Sequence, residues 1–145
     1  FHCGPVVVPR SPDPAQPPDG RGDWRVVAAG PTTSVREEPY MARVIEQFGV
    51  RVVIGKGGMG AATREACARF GCVYLQAVGG AAALIAQRVT RVAQVHFLEA
   101  FGATEALWEL EVEGLETVVG IDAGGRSLYD EVRDASAARL LHLLE

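Results

Sequence analysis

WRVVAAGPTTSVR, Trp24 to Arg36, and VRVVIGKGGMG, Val50 to Gly60, share one plan. In each, a run of β-branched apolar residues stops at a glycine and a helical pattern begins soon after. Short apolar runs bounded by turn residues are buried strands. The turn where such a strand gives way to a helix collects free backbone N–H groups and the positive end of the helix dipole, which suits anions. GPTTSVR adds the hydroxyls of Thr32 and Thr33 and the guanidinium of Arg36. GKGGMG adds Lys56 among glycines that let a ligand approach the backbone. Together the two turns describe a site for a small, multiply negative ligand.

The pattern continues on both sides. After GKGGMG, AATREACARF reads as a helix stopped by Gly71, CVYLQAV as a strand broken at Gly79-Gly80, and AAALIAQRV as a helix with a small-residue face. Strand, glycine turn and helix repeated in this way give an α/β domain with a parallel or mixed sheet covered by helices. Between the two turns, Pro39 suits the first turn of a helix, with Glu37 and Glu38 placed to meet its dipole. Met41, Val44, Ile45 and Phe48 recur at helical spacing on one face expected to be buried, and Gly49 ends the helix. Downstream, a strand is expected over 92–97, a short helix over 104–110, a strand over 115–121 and a turn at Gly124-Gly125. A closing helix carries an apolar stripe of Ala137, Leu140, Leu141 and Leu144. Upstream, FHCGPVVV is a strand interrupted by its Gly-Pro pair, and residues 9–23 form a proline-rich, mobile loop.

The 145 residues are read as one domain, with 48% apolar and 7% aromatic residues. A net charge of −4 with no basic face excludes a general nucleic-acid binder. No apolar run approaches the roughly 20 residues of a membrane span. Cys3, Cys67 and Cys72 are odd in number with no close pair, so neither a disulfide framework nor a metal site made by this chain alone is expected. Cys67 lies on a helical pattern and Cys72 opens a strand, and buried thiols in a reducing, cytoplasmic compartment are expected. Of the 14 basic residues, Lys56 alone is a lysine. A compact ammonium kept in a glycine-rich turn, against so strong an arginine preference, marks a pocket too tight for a guanidinium fork.

Nucleotide binding does not fit. A P-loop requires Ser or Thr directly after its lysine, and Gly57 stands there. The glycine spacing of GKGGMG is not that of a dinucleotide fingerprint.

GPTTSVR, GKGGM, VYLQAVGGAAALIA, WELEVEGLETVVGIDAGG and SLYDEV, in this order, resemble the β part of class I fumarases and L(+)-tartrate dehydratases. The resemblance spans about Cys3 to Val132. It implies a swivelling β/β/α domain and a hydro-lyase that interconverts fumarate and malate. It also implies a [4Fe-4S] cluster held by three cysteines of a separate α subunit, in an α2β2 or similar hetero-oligomer, with an open iron acting as Lewis acid on a dicarboxylate substrate. Cys3, Cys67 and Cys72 match none of the cluster ligands. In this picture Arg36 clamps a substrate carboxylate, Thr33 adds a hydroxyl, Lys56 brings positive charge near the reacting carbons, and Thr32 stands at the carbon that exchanges its proton. VGGAAAL is read as close helix packing, and Asp122 as the first carboxylate to add to the site. Family β parts also carry an upstream segment with a further substrate-binding arginine. The sequence begins at the strand after it, so either the upstream piece lies on another chain, or these residues are a fragment, or the function has drifted. Fumarate and tartrate remain open as substrates, and a non-catalytic dicarboxylate-binding or assembly module remains the competing class.

Overall fold

The computed structural model describes residues 1–10 and 24–144. Most of the proline-rich loop expected over 9–23 lies outside them. In chain order the elements are β1 (Val6–Pro9), β2 (Trp24–Ala28), a 3-10 turn (Ser34–Glu37), α1 (Glu38–Phe48), β3 (Val52–Gly55), α2 (Ala61–Phe70) and β4 (Val73–Gln76). They continue with α3 (Ala82–Ala86), β5 (Val89–His96), α4 (Leu98–Glu105), β6 (Leu107–Val112), β7 (Val118–Ile121) and α5 (Leu128–Leu144). The chain is α/β, with a mixed three-stranded sheet in the order β3-β4-β7 and helices over it, as in a swivelling β/β/α domain.

Two compact units share the chain. The first takes residues 1–2, 33–77 and 117–145. Here β3 and β4 run parallel, Val52 opposite Val73 through Gly55 opposite Gln76, because α2 carries the chain back between them. β7 adds antiparallel to β4, with a register shift at Tyr74/Leu75. α1 begins with Pro39 in its first turn and stops at Gly49, whose φ of 62° is left-handed. Its Met41 and Ile45 pack with Val53, Met59, Ala66, Cys67, Cys72, Tyr74 and Ile121 to form the core. Burying a side chain such as Ile45, which is fully enclosed, is worth about 1.5–3 kcal/mol. Phe48 is on the expected stripe yet 71% exposed, since it lies on the last turn, beyond the reach of α2.

α2 ends at Gly71, also left-handed at φ 67°, and Cys72 N–H donates back to Cys67 O at 3.0 Å. A helix end of this kind usually carries an apolar contact across its closing bond. Cys67 and Cys72, both fully buried, stand in that place. The two thiols, five residues apart in sequence, are therefore neighbours, and burial pushes the Cys67 thiol up to about 12, with Cys72 adding to the shift.

The carboxylate of Glu38 does something its place in the sequence does not announce. It leaves its own helix dipole and accepts from Gly60 N–H (2.7 Å), Thr63 N–H (3.2 Å) and the Thr63 hydroxyl (2.6 Å). Gly60 precedes α2 without any side-chain cap of its own, so Glu38 caps α2 from α1. A Cβ at Gly60 would stand 2.6 Å from Glu38 Oε1, which is why glycine closes the GKGGMG turn. Glu38→Ala is expected to leave two backbone donors and a buried hydroxyl unpaired and to destabilise the fold by about 1–3 kcal/mol, read as a lower urea midpoint at unchanged slope. A midpoint equal to that of the native chain would remove the cap from the account.

The second unit takes residues 3–32 and 78–116. β1 and β2 pair antiparallel, with Cys3 bridged to Pro31 beyond the Gly-Pro interruption. β5 and β6 form a long antiparallel ribbon, and β2 packs beside β5 with α3 on its other side. Val26, Ala29, Ile85, Ala86, Val92 and Ala106 are its buried apolar residues, and Trp24 meets Trp108 edge to face at 5.5 Å. The helix expected over 104–110 is displaced. α4 covers Leu98–Glu105, and β6 takes over at Leu107. LWELEV alternates with period two and finds a partner strand in β5, while Gly102 at φ 73° breaks the helix just before it. The helix expected from AAALIAQRV is cut to five residues for the same reason, since Val89 onward joins the ribbon.

Among the described residues, no helix is long and apolar enough to cross a membrane. The apolar stripe of the closing helix does form part of α5, but Ala137, Leu140 and Leu141 are exposed.

Candidate functional site

The end of β3 and the 3-10 turn lie side by side because Thr33 and Lys56 form a parallel bridge. Ser34 N–H donates to Lys56 O at 3.1 Å, and Lys56 N–H donates to Ser34 Oγ at 3.0 Å. One serine thus satisfies both backbone groups of the lysine, and it is fully buried in doing so. The Ser34 hydroxyl occupies the space that a Cβ on Gly55 would need. His2 completes the arrangement. Its N–H donates to Ile54 O at 2.7 Å, and its Nδ1 lies 3.0 Å from Ser34 Oγ. Burial lowers the His2 pKa below its ordinary value, so the neutral ring shares a single proton with the serine at that contact.

Beyond Lys56 the chain turns through Gly57, left-handed at φ 73°. The Gly57 carbonyl receives two phenols, Tyr74 Oη at 2.7 Å and Tyr129 Oη at 2.8 Å. Met59 then drops into the core and Gly60 reaches the Glu38 cap. The backbone of GKGGMG is therefore held from outside at Lys56, Gly57 and Gly60, by residues of the 3-10 turn, α1, β4 and α5. The Lys56 side chain, half-buried, and the Arg36 side chain, exposed on the 3-10 turn, make no hydrogen bond or ion pair with another described residue. Two cations without carboxylate partners among the described residues, one of them on a braced turn, can accept an anionic ligand.

Of the residues singled out from sequence, Thr33, Arg36 and Lys56 belong to the first unit, and Thr32, half-buried next to Pro31, ends the first stretch of the second. Asp122 does not join them. Its Oδ1 accepts from Gly124 N–H and Arg126 N–H, both at 2.9 Å, and these bonds hold its pKa below the usual carboxylate range. It closes the Gly124-Gly125 turn. Glu111 is tied to Arg91 across the β5–β6 ribbon. Ser34, Glu38, Tyr74 and Tyr129 carry the site's backbone and were not evident as site residues. SLYDEV was recognisable as a motif, and its tyrosine was the available signal.

Among the described residues, no three of His, Cys, Asp and Glu come together as a metal site. Cys67 and Cys72 are enclosed and protonated, and Cys3 belongs to the other unit, its pKa pushed up to about 11 by burial. These thiols do not fit an iron–sulfur cluster.

The paired strand-end turns, with hydroxyls on one and a lysine on the other, place the chain in a known class: residues 1–132 match the family model described as Fumarase C-terminus, and the chain belongs to that family. Among its relatives, it is 43% identical over 145 residues to "Putative fumarate hydratase class I" of Geobacillus stearothermophilus, a match covering 100% of this chain and 26% of that protein. It is 38% identical over 141 residues to the L(+)-tartrate dehydratase subunit beta of Escherichia coli K12, covering 96% of this chain and 64% of that subunit. The chain thus spans about a quarter of the first relative and just under two thirds of the second.

Proposed function

We propose that this chain is the β component of a hydro-lyase that reversibly hydrates fumarate to L-malate, working with an α subunit that holds a [4Fe-4S] cluster. The observation that carries the reading is the bridge between Thr33 and Lys56, which sets the one lysine of the chain at the end of β3 against the GPTT turn. Family membership supports the same chemistry.

Removing water from a hydroxy-dicarboxylate takes a proton from one carbon and a hydroxyl from its neighbour. Charge develops on the carbon losing its proton and spreads into the adjoining carboxylate. Fixed cations are most effective where charge appears only on the way to the transition state. Lys56 fills that role, on a turn that needs no rearrangement to receive the charge. Arg36 grips the opposite carboxylate with its planar fork and so fixes the substrate's length and orientation. Thr33 donates a hydroxyl to a carboxylate oxygen. Thr32 is assigned to the carbon that exchanges its proton. The cluster is assigned to the partner because Cys67 and Cys72 are fully buried, and no three metal-ligating side chains come together among the described residues.

L(+)-tartrate is the second substrate, favoured by the 38% identity to a tartrate dehydratase β subunit. Anaerobic purification from the native cell distinguishes the cases. Recovery with a larger iron-bearing chain, with fumarate hydration followed as loss of absorbance, is the expected result. Turnover of tartrate alone would move the substrate. A lone chain that binds dicarboxylates without turnover would overturn the enzyme in favour of a binding module.

A further inference from the structure

Tyr129 is placed unusually for a residue of a terminal helix. Its ring fills the space beside two glycines. A Cβ on Gly58 would sit 3.1 Å from the ring, and one on Gly120 would sit 2.5 Å from Oη and 2.7 Å from Cε2. Gly120 lies outside the left-handed region, so alanine is refused there for space alone. The phenol therefore passes between the GKGGMG turn and β7, and both backbones have given up a side chain to admit it.

Its hydroxyl faces two oxygens, Gly57 O at 2.8 Å and Gln76 Oε1 at 2.7 Å. A phenol carries one proton and can donate to one of them. The two ends of the Gln76 amide are alike in shape, and the network decides which faces the phenol. With the nitrogen turned inward, Gln76 donates to Tyr129 Oη, Tyr129 donates to Gly57 O, and Tyr74 donates to the second lone pair of the same carbonyl. Each of the three contacts then pairs one donor with one acceptor. Burial raises the pKa of both phenols, Tyr129 to about 12, so the protons stay in place across the working pH range. A carbonyl held by two phenols has little freedom to rotate, and the peptide plane it belongs to is the one joining Gly57 to Gly58, directly after Lys56.

We infer that Tyr129 is a positioning residue: through the Gly57 carbonyl, with Tyr74 and Gln76, it fixes the turn that aims the Lys56 ammonium. The inference rests on the proposed role of Lys56 for its catalytic consequence and on geometry alone for its structural one. It also accounts for the tyrosine of SLYDEV, which makes no claim on substrate.

Lys56 can be followed directly. The protein, grown with [ε-13C]lysine, gives a Lys56 resonance that is assigned by its loss in Lys56→Gln, and whose titration reports the ammonium's surroundings. Tyr129→Phe keeps the ring and removes the hydroxyl. Gly120→Ala keeps the hydroxyl and pushes it off the carbonyl. Both variants are expected to shift or split the Lys56 resonance and to lower kcat/KM by roughly tenfold to a hundredfold, as small misplacements of a catalytic group do, with the complex still assembled. A Lys56 resonance unchanged in both variants overturns the inference, whether or not turnover falls. A shifted resonance in a complex whose turnover survives Lys56→Gln leaves Tyr129 as the residue that sets the turn and removes Lys56 from the chemistry, so the two failures are told apart.

Discussion

Lys56→Gln, in the assembled complex, is expected to lower kcat by about 10²–10³, the usual loss when one preorganised donor is removed from a developing negative charge. Lys56→Arg should fall nearly as far. The guanidinium keeps the charge but spreads it over a wider plane on a longer stem, and the turn beneath it cannot yield, because the backbone on both sides of Lys56 is tied down. Neither variant should disturb folding, since the ammonium makes no bond to another described residue. The check is kcat beside a thermal midpoint. Full turnover in either variant would withdraw the lysine from the reaction.

Gly55→Ala is expected to be the most damaging change of a single methyl group. The new Cβ would overlap Ser34 Oγ and stand 3.0 Å from Ser34 Cβ and 3.1 Å from His2 Nδ1. Ser34 is fully buried and cannot swing away, so relief requires β3 and the 3-10 turn to part. Overpacking of this kind costs about 1–3 kcal/mol, and losing the Lys56 N–H to Ser34 bond adds about 1 kcal/mol. The serine itself supplies the control. Ser34→Gly vacates the space, so the Ser34→Gly, Gly55→Ala double variant should be more stable than Gly55→Ala alone, with a coupling of about 1–2 kcal/mol between the positions. Additive effects in urea unfolding would mean that the two residues do not share the volume assigned to them.

Local pattern carried much of the fold. The β-branched runs, the left-handed glycines at 49 and 71 and the stripe of Met41 and Ile45 depend on neighbours in sequence, and α1, β3, α2 and β4 stand where those features place them. The reading went astray around LWELEV and AAALIAQRV, where pairing with a distant strand outweighs helical preference. Thr33, Arg36 and Lys56 could be put forward as candidates because hydroxyls and cations at strand ends stand out in sequence. Their supports could not. Ser34, Glu38 and Tyr129 act on backbone 22, 22 and 72 residues away, and nothing in their immediate surroundings betrays it. Asp122 looked like a candidate acid because a carboxylate that ties a turn and one that moves a proton have the same local spelling.

The first unit is written in three pieces, with residues 78–116 of the second unit spliced between β4 and β7. During synthesis β3, α2 and β4 therefore leave the ribosome well before the strand and the tyrosine that finish them. Until β7 is added, β4 has an open edge, and until Tyr129 arrives, Gly57 has lost one of its two phenols. A chain shortened before α5 would keep its lysine and all its glycines and still lack a formed turn. Closing contacts across such spans is slow, so the GKGGMG turn is completed only after residues 78–116 and the start of α5 have been made.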